Sequence, residues 1–103
     1  MSWIYLILAG AFEIGWPIGF KLASNGSKIW IMFSIVSMGL SGLFLYLAQK
    51  NIPISTAYIV WTGIGGLGTA LIGIMIFNDS ISFLKLMFLS LILIGLVGIK
   101  IVS

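Results

Sequence analysis

Cysteine and histidine are both missing from this chain of 103 residues. The first absence rules out a disulfide framework. The second removes the commonest metal ligand and the usual neutral-pH base. Charge is scarce as well: 7% of residues are charged, where a soluble domain carries about 25%. With one membrane-embedded acid and neither thiol nor imidazole, no nucleophile–base pair can be assembled, so the chain reads as a non-enzyme with no metal and no cofactor. The net charge of +3 comes from lysines scattered among apolar blocks. They make no basic stripe for nucleic acid.

What is present is apolar. Hydrophobic residues make up 61% of the chain, against roughly 45–50% in a soluble domain, and a chain this short cannot hide that much apolar surface in a core. Lipid is the expected solvent. The apolar runs fall at about residues 4–20, 29–48, 54–77 and 83–102, each near the ~17–25 residues needed to cross the hydrocarbon layer. Short turns separate them, containing Asn25-Gly26-Ser27, Lys50-Asn51-Ile52-Pro53 and Asn78-Asp79-Ser80. Gly, Asn, Asp and Ser suit turn backbones, and Pro53 suits the first turn of a helix. The expected fold is an all-α membrane protein, with residues 1–103 forming a single domain of four antiparallel transmembrane helices. The first run carries an acid in its middle and lacks a basic leader, so it does not read as a signal peptide.

Four crossings put Lys50 and Lys100 on one side and Lys21, Lys28 and Lys85 on the other. That near balance gives almost no positive-inside bias and fits a protein that inserts both ways. Secondary transporters usually enclose a midplane site between inverted repeats. Here no internal repeat is visible, and four helices are too few to surround a substrate. An antiparallel, dual-topology homodimer supplies the missing repeat.

Glu13 lies near the middle of the first run. An ionised carboxylate there costs roughly 2.5–3.5 kcal/mol on insertion scales, and intramembrane acids are functional-site hypotheses by default. A lysine partner is the bland alternative, but Lys21 is eight residues on, about 12 Å along a helix, and is placed to snorkel to the interface. Trp16 shares the Glu13 face, while Ala9 and Gly10 leave room below it. Pro17 lacks the N–H that would bond the Glu13 carbonyl, and its ring is expected to kink the helix. Packing alone also explains a membrane-helix proline.

In the third run, Tyr58 and Trp61 share a face, and Gly63, Gly65, Gly66 and Gly68 then permit a bend or a close approach. Deep aromatics facing an acid suit a cation. Packing explains them too, and Trp3, Tyr5 and Trp30 read better as an interfacial belt. Ser34, Ser37 and Ser41 recur at helical spacing in the second run, a weak signal because serine is common where membrane helices meet.

A first-helix acid followed by Ala57-Tyr58-Ile59-Val60-Trp61-Thr62-Gly63-Ile64-Gly65, in a four-helix chain of this length, resembles the small multidrug resistance family over the whole sequence. Within it, Glu13-Ile14-Gly15-Trp16, Trp61-Thr62-Gly63 and Gly98-Ile99-Lys100 look like the guanidinium-exporter branch. The resemblance implies a proton-coupled cation exporter of the cell inner membrane, an antiparallel dimer with paired glutamates at its centre. It assigns proton and substrate binding to Glu13, Trp16, Tyr58 and Trp61, with Ser37, Ser41, Thr62 and Gly10 as supporting contacts. Gly63 and Gly65 would be the conformational hinge. Leu91, Ile92 and Gly95 match the fourth-helix dimer pattern, although Phe88 replaces its first glycine. Pro17 stands where a small apolar residue is usual. The second turn is shorter than usual for the branch, so the glutamate-contacting serine falls near Ser41 or at Leu43.

The expected chemistry is competition: protons and a guanidinium ion, whose planar N–H donors match carboxylates, vie for the same oxygens. A quaternary or aromatic cation held by ring faces is the alternative substrate. A proton-carrying or pore-forming proteolipid subunit is the alternative of another class. The expected partners are a small organic cation, protons, the bilayer and a second copy or a paired homologue.

Overall fold

Lipid cannot hydrogen-bond a backbone, so each spanning segment must satisfy its own N–H and C=O groups. The computed structural model, which describes residues 1–102, does this with four helices: α1 Ser2–Leu22, α2 Lys28–Ala48, α3 Ile54–Ile76 and α4 Phe83–Val102. All four are long and apolar enough to span a membrane. α1 runs unbroken through Pro17, and α3 through its glycine-rich stretch.

The turns are built from local chemistry. A 3-10 turn at Ala23–Asn25 ends on Gly26 at φ 93°, a left-handed conformation that glycine adopts without a Cβ penalty, and Asn25 Oδ1 accepts from the Ser27 N–H at 3.2 Å. Pro53 is the N-cap of α3, where its missing N–H costs no helical bond. At the end of α3 the Phe77 and Asp79 N–H groups both donate to the Gly73 carbonyl, at 3.1 and 3.0 Å, around Asn78 at φ 57°. Ser82 Oγ then accepts from the Lys85 N–H at 3.1 Å and caps α4.

α1 is the central element, packed on α2 along one side and on α3 along the other, while α2 and α3 barely meet. Small residues let α1 and α2 approach closely. Ser34, Ser37 and Ser41 are buried and donate to the carbonyls of Trp16, Phe12 and Ala9 at 2.9, 2.8 and 2.7 Å. Interhelical bonds of this kind average about 0.6 kcal/mol in membranes, so together they contribute roughly 2 kcal/mol. A small apolar cluster of Leu6, Ala48, Ile52, Ala57 and Val60 closes the end that carries the N-terminus. There Asn51 Nδ2 donates to Ser2 Oγ at 3.1 Å, and the Lys100 amine sits 4.8 Å from the Trp3 ring centroid. α4 leans on α3 and buries none of its residues. The result is a slab of 42 × 35 × 16 Å, little thicker than one helix with its side chains.

Candidate functional site

Glu13 stands on α1 at half-burial, on the side that meets α3. Room for it comes from Gly65, which is buried directly against it: a Cβ at that position would overlap Glu13 Cγ and lie 3.1 Å from its Cβ. One turn further along α1, Trp16 Nε1 donates to Glu13 Oε1 at 2.7 Å. The Phe20 ring meets the Trp16 indole edge-on, with centroids 5.8 Å apart.

A second indole reaches the acid through a hydroxyl. Trp61 Nε1 on α3 donates to Ser41 Oγ on α2 at 2.8 Å. Ser41 Oγ bonds the Ala9 carbonyl at 2.7 Å and lies 3.5 Å from Glu13 Oε1. A hydroxyl has one proton to give, and the shorter contact takes it. The longer contact to Glu13 is the alternative to which that proton can turn. Both side-chain donors near the acid converge on Oε1, among the described residues. Oε2 accepts no hydrogen bond among the described residues.

Glu13 opens into a cleft of about 520 Å³ between α1, α3 and the start of α4. Trp16, Pro17, Thr62, Gly65, Gly66, Thr69 and Ala70 line it, and Asp79 and Lys85 complete its wall. A separate groove of about 310 Å³, bordered by Trp3, Ile7, Leu96 and Lys100, contains no acid and offers nothing specific to a cation.

The residues expected at the site separate into those that meet Glu13 and those that do not. Glu13, Trp16, Ser41 and Trp61 come together, Trp16 bonded to Glu13 and Trp61 to Ser41, and Ser41 rather than Leu43, which is 50% exposed, stands beside the acid. Tyr58 is exposed and its ring lies T-shaped against Trp61, with centroids 5.5 Å apart. Ser37 is spent on the Phe12 carbonyl. Thr62 lines the cleft, but its hydroxyl bonds back to the Tyr58 and Ile59 carbonyls of its own helix. Gly10 is buried under Ile64, and Gly63 faces Leu96 of α4. Leu91, Ile92 and Gly95 are exposed on α4, away from the cleft. The serines take the carbonyls of Ala9, Phe12 and Trp16, on either side of Glu13's own. Sequence reasoning passed over Thr69, Asp79 and Lys85. The one available signal was that Asp79 is the only other acid in the chain.

The model of the family described as Small Multidrug Resistance protein matches residues 1–92. A guanidinium exporter of Yersinia pseudotuberculosis is 41% identical over 104 residues, covering all of both chains. One from Proteus vulgaris is 42% identical over 108 residues, again covering both completely. One from Escherichia coli K12 is 39% identical over 101 residues, 97% of this chain and 96% of its own. With four membrane-length helices, an intramembrane carboxylate and this likeness from end to end, the chain belongs to the small multidrug resistance family of membrane transporters.

Proposed function

We propose that this protein exports guanidinium, or a small cation bearing a guanidinyl group, across the cell inner membrane in exchange for protons. The observation that carries the reading is Glu13 itself: a carboxylate in a membrane helix, with Oε1 tethered by Trp16 and Oε2 unclaimed beside an open cleft. Full-length similarity to proteins named guanidinium exporters supports the choice of cation.

The mechanism follows from what a carboxylate can hold. A guanidinium ion presents parallel N–H donors that fit carboxylate oxygens in bidentate geometry. A proton on Glu13 removes the charge and occupies the same lone pairs. Occupancy by one therefore excludes the other, and protons running down their gradient drive the cation out. Trp16 fixes the carboxylate, and Trp61 fixes Ser41, which in turn contacts it.

A slab 16 Å thick leaves the cleft open on one side. An oppositely oriented second copy would close it and bring two Glu13 residues into one site, which would then bind its protons as a coupled pair. The exposed faces of α4, including Leu91, Ile92 and Gly95, suit contact with that copy. Gly63 and Gly65 back onto Leu96 of α4 and onto Glu13, so a bend there would move the fourth helix and the wall behind the acid together. The nearly even lysine distribution supports insertion in both orientations.

Tyr58 presents an exposed ring in a T-shaped pair with Trp61. This favours, as a second reading, a bulkier aromatic or quaternary cation held by ring faces. Proteoliposomes with an internal pH dye test both. Guanidinium should drive proton flux through the native chain, and Glu13→Gln should abolish it. Tetraalkylammonium driving more flux than guanidinium would favour the second reading. Guanidinium–proton exchange surviving in Glu13→Gln would remove the basis of both.

A further inference from the structure

The chain contains two acids in all, and both border the same cleft. Glu13 lies at its α1–α3 seam. Asp79 lies in the turn between α3 and α4, where its N–H is bonded to the Gly73 carbonyl at 3.0 Å and its carboxylate rests against Gly73. Gly73 is eight residues from Gly65, the residue under Glu13, so the two carboxylates stand about 12 Å apart along the helix axis. The cleft continues between them. A hollow of about 200 Å³ bordered by Lys21, Gly73 and Phe77 shares Pro17, Thr69 and Asp79 with the Glu13 cleft.

Charge along this passage is uneven. Lys21 and Lys85 border its outer part, and the Lys85 amine donates to the Ser80 carbonyl at 3.1 Å rather than reaching Asp79. Without Asp79, an incoming cation would meet two ammonium groups before reaching any carboxylate. In a cleft with low-dielectric walls, one fixed charge governs the local concentration of a small ion.

We propose that Asp79 is a mouth-side station of the transport path, which takes a small planar cation such as guanidinium from water and holds it on the way to and from Glu13. This rests on the reading of Glu13 as the inner cation site. Two carboxylates about two helix turns apart divide the dehydration of the ion into two steps. The outer one is exposed and releases the ion readily. The inner one binds it in exchange for protons. Asp79 is a binding residue here, acting on arrival and departure.

The test is guanidinium-driven proton flux in vesicles of neutral phosphatidylcholine, which add no surface charge of their own. Asp79→Asn keeps the shape and the backbone bond to Gly73. At low ionic strength it should raise KM for guanidinium on the order of three- to tenfold, with the maximal rate retained. In about 1 M potassium chloride, where the Debye length is about 3 Å, the difference should close. Asp79→Glu should restore the native KM, and Lys21→Gln should lower it. An unchanged KM in Asp79→Asn at low salt, or a difference that salt leaves intact, overturns the station. Glu13→Gln run alongside separates the two claims: flux in that variant overturns the inner site. A silent Glu13→Gln beside an unaffected Asp79→Asn overturns the station alone.

Discussion

Replacing Gly65 by alanine sets two physical effects against each other at one atom. Alanine is the better helix former, by about 1 kcal/mol in a helix interior, and α3 is an unbroken helix there. The added methyl, however, would occupy the space of Glu13 Cγ and approach its Cβ to 3.1 Å. Both atoms lie at the root of the side chain, so a rotation near the carboxylate does not relieve the overlap. Either Glu13 changes its first torsion or α1 and α3 part. Overpacking of this kind costs about 1–3 kcal/mol, so net stability should change by at most about 2 kcal/mol. The carboxylate, in contrast, must leave its 2.7 Å bond with Trp16 Nε1. A displacement near 1 Å at a binding group can cost about 100-fold. Rate over KM for guanidinium should therefore fall about 10- to 100-fold, while the purified protein elutes and melts nearly as the native one does. Gly39→Ala on α2, where nothing lies within 4 Å of an added Cβ, is the control and should transport normally. Proton flux in proteoliposomes, read beside a thermal melt in detergent, decides it. Native transport in Gly65→Ala would refute the close approach of α3 to the acid.

Ser41→Ala removes the acceptor of the Trp61 N–H and the donor to the Ala9 carbonyl. Unpartnered polar groups cost about 1–3 kcal/mol, so KM for guanidinium should rise about tenfold, with a change in Trp61 emission measurable by fluorescence. Competition at Glu13 fixes the sign of the pH dependence. Each tenfold rise in proton concentration should raise KM by up to about tenfold per proton displaced, so apparent affinity improves towards alkaline pH, as a series of flux titrations at fixed gradients will show. Gly95→Trp places a large ring on the exposed face of α4, where an added Cβ meets nothing within 4 Å in the single chain. Chemical cross-linking in vesicles should then capture fewer dimers, and an unchanged yield would place the contact between copies elsewhere.

The four helices were legible because lipid imposes one rule on every residue: apolar runs of spanning length, broken by short polar turns, leave no other backbone solution. Glu13 and Trp16 were legible together because both lie on one helix, where three residues fix a shared face. Contacts between helices were less so. Ser37 and Ser41 stand one turn apart on α2, and sequence spacing treats them alike. Only the axial register of α2 on α1 decides that Ser41 stands at the level of the acid while Ser37 meets Phe12. Tyr58 and Trp61 share a helical face, yet the path of α3 leaves the first exposed and turns the second inward. Asp79 depended on how α3 ends: Asn78 turns left-handed and the Asp79 N–H bonds back to Gly73, six residues earlier, which sets the carboxylate at the cleft.

The three serines that tie α2 to α1 also set the mechanics of the molecule. Each hydroxyl grips a carbonyl at a fixed height, at Ala9, Phe12 and Trp16, so sliding one helix past the other breaks every bond in the row at once. The seam between α1 and α3 has no such teeth at its glycines. Gly10, Gly65 and Gly68 there receive Ile64, Glu13 and Ile14 in close packing contacts rather than through hydrogen bonds. The pair α1–α2 is in effect a frame and α3 a runner against it. Glu13 is mounted on the frame and faces the runner, which the bond from Trp61 to Ser41 ties back to it.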